Sequence, residues 1–391
     1  MRLPDTREMF RTLVGEPSVS CNEPSRDQSN LAVIDHLANW LAGLGFSVEV
    51  LPLPSDPRKA NLIATKGAAP HREETVPQGL VLSGHTDTVP CDEALWSHDP
   101  FTLTEADGRL YGLGTCDMKG FFPLALNAAA RFADRTLAHP LTLLATSDEE
   151  SSMAGARYLE SIGRPLARAA VIGEPTGLQP VHAHKGIMLV TITLTGRSGH
   201  SSNPARGNSA LDAMHGVMGE LIAFRRELAD VYTNPAFEVA VPTLNLGCLH
   251  AGDSPNRICE TARLQIDLRS LPGMDHDRIC ADMTGRLEAV SARHGTAIEV
   301  SRLSPSLPPY ETPRDGELIG HLEQLSGKSA GTVAFGTEAP FLRALGMETA
   351  VFGPGSIDQA HQPDEYLDTA FIEPATDALS ALIERYCCRA D

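Results

Sequence analysis

Leu141-Thr142-Leu143-Leu144-Ala145-Thr146-Ser147-Asp148-Glu149-Glu150 is an apolar run that ends abruptly in three consecutive acids. Up to Ala145 it reads as a buried strand. The acids then fall at the strand's carboxyl end, where open α/β sheets place their ligands. Three adjacent carboxylates repel one another, so a positive group is expected to compensate them. A solvated acidic turn is spelled the same way. What decides against it is that other strand ends in the chain carry metal-type residues too.

Upstream, Leu80-Val81-Leu82 is a short strand that delivers Ser83-Gly84-His85-Thr86-Asp87. His85 and Asp87 are two apart and face the same side if the strand continues. A metal-binding histidine commonly gives its other ring N–H to a carboxylate, which fixes its tautomer; a His beside an Asp by chance is the plain alternative. Tyr111-Gly112-Leu113-Gly114-Thr115-Cys116-Asp117-Met118-Lys119-Gly120 then precedes an Ala-rich helix over 121–133, with Pro123 tolerable in its first turn. Neither a Walker Lys-Ser/Thr pair nor the dinucleotide fingerprint accompanies these glycines, so nucleotide binding is rejected. Asp117 lies just before the helix, where N–H groups and the dipole favour a carboxylate, though an N-cap would read alike. Beyond the acids come a helix over 154–162 and a strand over 169–172 that ends in Gly173-Glu174-Pro175-Thr176. His85, Asp117, Glu149, Glu150 and Glu174 can therefore meet at one edge of one sheet.

Around this centre, residues 25–44 carry apolar positions at helical spacing, and strands are expected over 47–53 and 61–64, followed by a polar loop that ends near Gly79. From His184 the texture changes. Strands over 186–194, 243–249, 261–268 and 297–300 alternate with helices over 208–228 and 276–294, giving the β-α-β-β-α-β order of a ferredoxin-like unit. The expected domains are thus 1–184 and 304–391, forming one catalytic domain, with 185–303 inserted. A helix over 316–325, a strand over 349–352 and a closing helix over 371–386 complete the second part.

Composition bounds the function. The chain has 391 residues, 42% apolar and 21% charged, as in ordinary soluble proteins. Its 50 acids against 32 basic residues give a net charge of −18, which argues against nucleic-acid or anionic-membrane binding and for attraction of cations. Eight cysteines without a CxxC pair, an amino terminus without an apolar core and no bilayer-length apolar run predict a mature cytosolic protein.

Taken together, Ser83-Gly84-His85-Thr86-Asp87, Gly114-Thr115-Cys116-Asp117-Met118-Lys119-Gly120, Asp148-Glu149-Glu150, Gly173-Glu174-Pro175-Thr176, Gly199-His200-Ser201-Ser202 and His361 stand in the order of a known family. The chain resembles, over essentially its whole length, the dinuclear metallohydrolases that include acetylornithine deacetylase, succinyl-diaminopimelate desuccinylase, aminoacylases and glutamate carboxypeptidase. The resemblance implies an α/β fold, with a mixed-sheet α/β/α metallopeptidase-like catalytic domain and an inserted ferredoxin-like α+β lid and dimerisation domain. It implies that Asp117 bridges two divalent metals, with His85 and Glu174 completing one site and Glu150 and His361 the other. Glu149 is then the general base, Asp87 the orienter of His85, and His200 an oxyanion donor from the partner subunit of a homodimer. Cys116 has no ligand role in the pattern, and the Asp117-Met118 peptide is expected to be cis. Nitrogen and oxygen ligands without thiolate suit Zn²⁺ and admit Co²⁺ or Mn²⁺.

The implied reaction is deacetylation of N2-acetyl-L-ornithine in arginine biosynthesis; a desuccinylase, aminoacylase or dipeptidase is the alternative. A small N-acyl amino acid needs its carboxylate held. Asn256, Arg257 and Arg269 are candidates, as are the N–H groups of residues 353–356, although Arg269 has a structural reading as the partner of a nearby acid. Glu338 is the candidate for neutralising the ornithine ammonium.

Overall fold

A computed structural model describes residues 3–67 and 77–388; the polar loop expected before Gly79 lies largely outside them. The chain divides into two units, one of Met1–His182, Thr312–Gly331 and Thr337–Asp391, the other of Ala183–Glu311 and Thr332–Gly336. The first returns at Thr312 because Tyr310 and Glu311 still pair with His184 and Ala183 in the second.

In the first unit four parallel strands lie side by side, in the order Leu141–Thr146, Leu80–His85, Ala169–Ile172 and Glu348–Val351. Every residue of the first three is buried. Strands covered on both faces read as unbroken apolar runs, which is why they were legible. Each such Leu, Val or Ile contributes about 1.5–3 kcal/mol by leaving water. Antiparallel strands flank the parallel set. Ala60–Lys66 pairs with Leu141–Thr146 and then with Ser47–Pro52 at the edge, while Val181 pairs with Val351 on the other side. Because the central four run the same way, their carboxyl ends share one edge of the sheet. The segments after residues 85, 146, 172 and 351 all leave from it.

Several local expectations are corrected. The first helix of the chain, Thr6–Val14, was not anticipated. The helix expected over 25–44 is Leu31–Gly43. It starts late because Asp27 is engaged elsewhere, accepting the Cys21 N–H and the Lys59 ammonium. Asp117 is not a helix N-cap, since Gly120 caps Phe121–Ala130. The Asp117-Met118 peptide is cis, as expected. A three-stranded sheet of Thr104–Ala106, Arg109–Tyr111 and Tyr366–Asp368 is new.

The second unit holds a four-stranded antiparallel sheet in the order Thr243–Ala251, Thr261–Ser270, Gly186–Thr195, Ala297–Arg302. The helices Ala210–Val231 and His276–His294 connect its strands in the split βαβ manner. Met214, Val217, Leu221, Met283 and Leu287 pack against Met188, Val190, Ile192 and Leu264 in its core. Among the described residues no helix is long and apolar enough to cross a membrane.

Candidate metal centre

The shared sheet edge gathers His85, Asp117, Glu149, Glu150, Glu174 and His361. His85 ends its strand and is 1% exposed. Its Nδ1 lies 3.0 Å from the carbonyl oxygen of Asp87. A carbonyl only accepts, so Nδ1 carries a proton, and the Nε2 lone pair is available to the cluster whenever a cation replaces the second proton. Nε2 faces Asp117 Oδ1 at 3.1 Å and Glu174 Oε1 at 3.8 Å. His361 Nε2 faces the other Asp117 oxygen, Oδ2, at 3.5 Å and both oxygens of Glu150 at 3.1 Å. One carboxylate thus presents each of its oxygens to a different histidine, and each histidine has a second acid beside it. Ligand atoms of His85, Glu149 and Glu174, and of His85, Asp117 and Glu150, lie within 4.8 Å of one another in two overlapping groups.

Asp87 orients His85 through its main-chain carbonyl, with the carboxylate 3.7 Å away. That carboxylate instead accepts the backbone N–H groups of Glu149 at 3.3 Å and Glu150 at 3.1 Å. It therefore aims both acids. On the far side of the same turn, Asp148 has a left-handed backbone at φ +59. Its side chain meets the Lys59 ammonium and accepts the Ser20 hydroxyl at 2.9 Å. Lys59, buried among Asp148 and Asp27, is part of the positive compensation that the acidic run demands.

The acids at His85 and His361 have imidazoles beside them where Asp148 has an ammonium. Burial, then the neighbouring Glu174, raises the Glu149 carboxyl well above the usual range, and burial followed by Asp117 does the same for Glu174. Burial would also raise Asp117, but bonds from His361 and His85 hold it below the ordinary carboxylate range. The same contacts, with Asp117 first and Glu150 next, push His361 up to about 10. Buried acids this close stay ionised only with positive charge among them, supplied either by imidazolium protons or by divalent cations. The donor set of nitrogen and oxygen fits such cations. Cys116 turns its Sγ toward the carbonyl of Ser356 at 3.4 Å.

Glu338 is 1% exposed; its Oε2 accepts the Thr146 hydroxyl at 2.8 Å, and its Oε1 is buried without a hydrogen bond. Burial pushes its carboxyl up to about 7. At that depth it does not contact a solvent-borne ammonium without an opening above it.

In the second unit, His200, Asn256 and Arg257 come together. The Asn256 carbonyl accepts the Ser201 N–H at 3.1 Å, and His200 and Arg257 form a backbone bridge. His200 is exposed, and its Nδ1 accepts the Ser202 N–H at 3.2 Å. A backbone N–H only donates, so the neutral ring carries its proton on Nε2 and presents a donor. Arg257 pairs with Asp253 at 2.7 Å and Arg269 with Asp267 at 3.0 Å. Lys59, and Glu365, whose carboxylate accepts the Asp117 N–H at 2.9 Å, were missed beside the site, because nothing in their spacing says that either side chain turns inward.

Comparison with known proteins gives one family match, one relative and two structural likenesses. The family model described as Peptidase family M20/M25/M40 matches residues 81–385. An acetylornithine deacetylase from Yersinia pseudotuberculosis is 47% identical over 387 residues, covering 99% of each chain. Among solved structures, a tripeptidase from Staphylococcus aureus superposes with a TM-score of 0.75 at 18% identity, covering 98% of this chain and 99% of its own. A dinuclear metal-binding peptidase of the M20 family from Bacillus subtilis gives 0.67 at 17% identity, covering 97% of both. The two structural likenesses concern the fold alone.

Proposed function

The chain belongs to the M20/M25/M40 peptidase family, and from that premise we propose that it is a metal-dependent amidohydrolase that removes the acetyl group from N-acetylornithine, giving ornithine and acetate. The full-length relationship to an enzyme of that name supports the substrate. The observation that carries the chemistry is Asp117, whose two oxygens face His85 and His361 separately.

We assign one divalent cation to His85, Asp117 and Glu174, and a second to His361, Asp117 and Glu150; Zn²⁺ is the proposed ion and Co²⁺ a substitute. Such ions, when bound, polarise the amide carbonyl and lower the pKa of water. Glu149 is the general base. Anchored through its N–H on Asp87, its carboxylate takes the proton of the attacking water as the new C–O bond forms. As the C–N bond breaks, Glu149 hands that proton to the departing amine. A raised proton affinity, which burial supplies, suits a group that must both take and return a proton near neutrality.

His200 is the proposed oxyanion donor, acting across a homodimer from the partner's second unit; its exposure and its Nε2 proton support the reading. Asn256 and Arg257, on the same loop cluster, and Arg269 are proposed to hold the substrate carboxylate. Glu338 is proposed to favour a cationic side chain by its field rather than by contact. A role in arginine biosynthesis is proposed from the ornithine product, and eight free cysteines support a reducing cytosolic setting.

The test is hydrolysis of N-acetylornithine beside succinyl-diaminopimelate and acetylmethionine, on protein stripped with chelator and then given Zn²⁺ or Co²⁺. Metal-restored activity strongest on N-acetylornithine is expected. Restored activity only on another substrate rejects the specificity, and none on any substrate rejects the enzyme reading.

A further inference from the structure

Glu365 stands directly before Tyr366–Asp368, is 1% exposed, and belongs to neither histidine's set of partners. Tyr366–Asp368 pairs with Arg109–Tyr111, so the chain that leaves Tyr111 for the metal centre must pass Glu365. The main-chain oxygen of Glu365 accepts the Gly112 N–H at 3.0 Å. Its carboxylate accepts Gly114 N–H at 3.0 Å on Oε2, and Cys116 N–H at 2.8 Å and Asp117 N–H at 2.9 Å on Oε1. The two remaining N–H groups of this loop are also satisfied, Leu113 on the Pro100 carbonyl and Thr115 on the Gly112 carbonyl. The backbone accounting of residues 112–117 is therefore closed, and one residue accepts four of its six donors. Burial pushes the Glu365 carboxyl up to about 8, and the N–H bonds from Asp117, Gly114 and Cys116 pull against that rise by favouring the ionised form, which offers only acceptors to this row of inward-facing donors. Gly114 allows the wrap, since at φ +82 a Cβ would stand 2.7 Å from Lys119 and 2.9 Å from Thr88.

We infer that Glu365 is a positioning residue for the metal centre. It holds the backbone of Asp117 so that the two carboxylate oxygens stay divided between His85 and His361. His361 lies four positions before Glu365, so a single segment carries one imidazole and the anchor of the carboxylate that imidazole must meet. The distance between them is then set by a short stretch of chain rather than by the packing of remote elements. This inference rests on the two-cation reading proposed above.

The experiment is a calorimetric Zn²⁺ titration of the full chain after chelator treatment, with thermal melts of the stripped protein alongside. Glu365→Gln keeps the size and one carbonyl oxygen but sets an NH₂ group where one of the three N–H groups needs an acceptor. Glu348→Gln is the control: Glu348 accepts the Leu318 N–H at 2.9 Å, at the amino end of its strand and away from the centre. The expected result is zinc binding weakened roughly 10- to 100-fold in Glu365→Gln, the range for partners that orient metal ligands, with a melting temperature no lower than that of Glu348→Gln. Parental zinc affinity in folded Glu365→Gln overturns the inference, as does an equal loss of affinity in Glu348→Gln. Should Glu365→Gln not fold, Glu365→Asp decides, because its carboxylate is withdrawn by one methylene; weakened zinc binding supports the inference and parental affinity overturns it. A parent chain that binds no zinc rejects the two-cation reading itself, and the inference with it.

Discussion

Lys59→Met removes a cation from beneath the catalytic turn while keeping its apolar stem. Lys59 is 4% exposed, and its ammonium meets Asp27 at 2.5 Å as well as Asp148. Taking away one partner of a buried ion pair leaves the other charge uncompensated, at a cost of about 3–5 kcal/mol. Asp148 keeps the Ser20 hydroxyl at 2.9 Å and Asp27 keeps Arg58 at 3.6 Å, which argues for the lower half of that range. At roughly 2–4 °C per kcal/mol for a domain of this size, the melting temperature falls by about 6–16 °C. Thermal melts of the parent, Lys59→Met, Asp148→Asn and the double variant measure it. The double variant should lose less than the sum of the singles, because the second substitution removes the carboxylate that the first left unpaired. The pH dependence has a defined sign. Burial lowers the Lys59 pKa, but the bonds from Asp148 and Asp27 outweigh it and hold the group above its ordinary 10.5. The stabilisation is therefore fully present below 10.5 and fades as pH rises through the higher folded value. Lys59→Met melting within about 1 °C of the parent, or strictly additive variants, would refute the reasoning.

Three further outcomes are expected. Glu149→Gln should lower kcat by roughly 10²- to 10⁴-fold while a zinc titration still reports the parental stoichiometry; loss of a bound ion would instead make Glu149 a ligand. Zinc binding should release protons and strengthen with rising pH, because His361, pushed up to about 10, must lose a proton to coordinate. Calorimetry in two buffers of different ionisation enthalpy checks this, and identical heats would contradict it. Glu338→Gln should narrow the preference for N-acetylornithine over acetylmethionine; an unchanged ratio removes Glu338 from specificity.

The sequence was most readable where burial imposed one pattern on every residue. Leu80–His85, Leu141–Thr146 and Ala169–Ile172 are covered on both faces, so apolar runs ending in His85, Asp148 and Gly173-Glu174 marked both the strands and the edge they share. Ala154–Ile162 and His276–His294 were legible through helical spacing and end in Gly163 and Gly295, both at left-handed φ. The small sheet of Thr104–Ala106, Arg109–Tyr111 and Tyr366–Asp368 was not legible, because three residues are too few to display a period. The helix Ala339–Ala344 escaped for the same reason. The resemblance supplied candidate ligands and named Asp87 as the orienter of His85, but not the atoms through which Asp87 acts. The division of labour in Asp87, carbonyl to His85 and carboxylate to the backbone of Glu149 and Glu150, depends on a local turn that spacing does not reveal. Lys59 and Glu365 act on residues 89 and 248 positions away, separations that a linear reading cannot span.

The proposed role of Asp117 is to serve two ions at once, one on each carboxylate oxygen. Anomalous diffraction from crystals of the zinc-loaded chain tests it. The prediction is two zinc peaks, one at His85 and Glu174 and the other at His361 and Glu150, each in contact with a different oxygen of Asp117. A single ion at saturating zinc, or two ions with Asp117 bound to neither or to only one, contradicts the account.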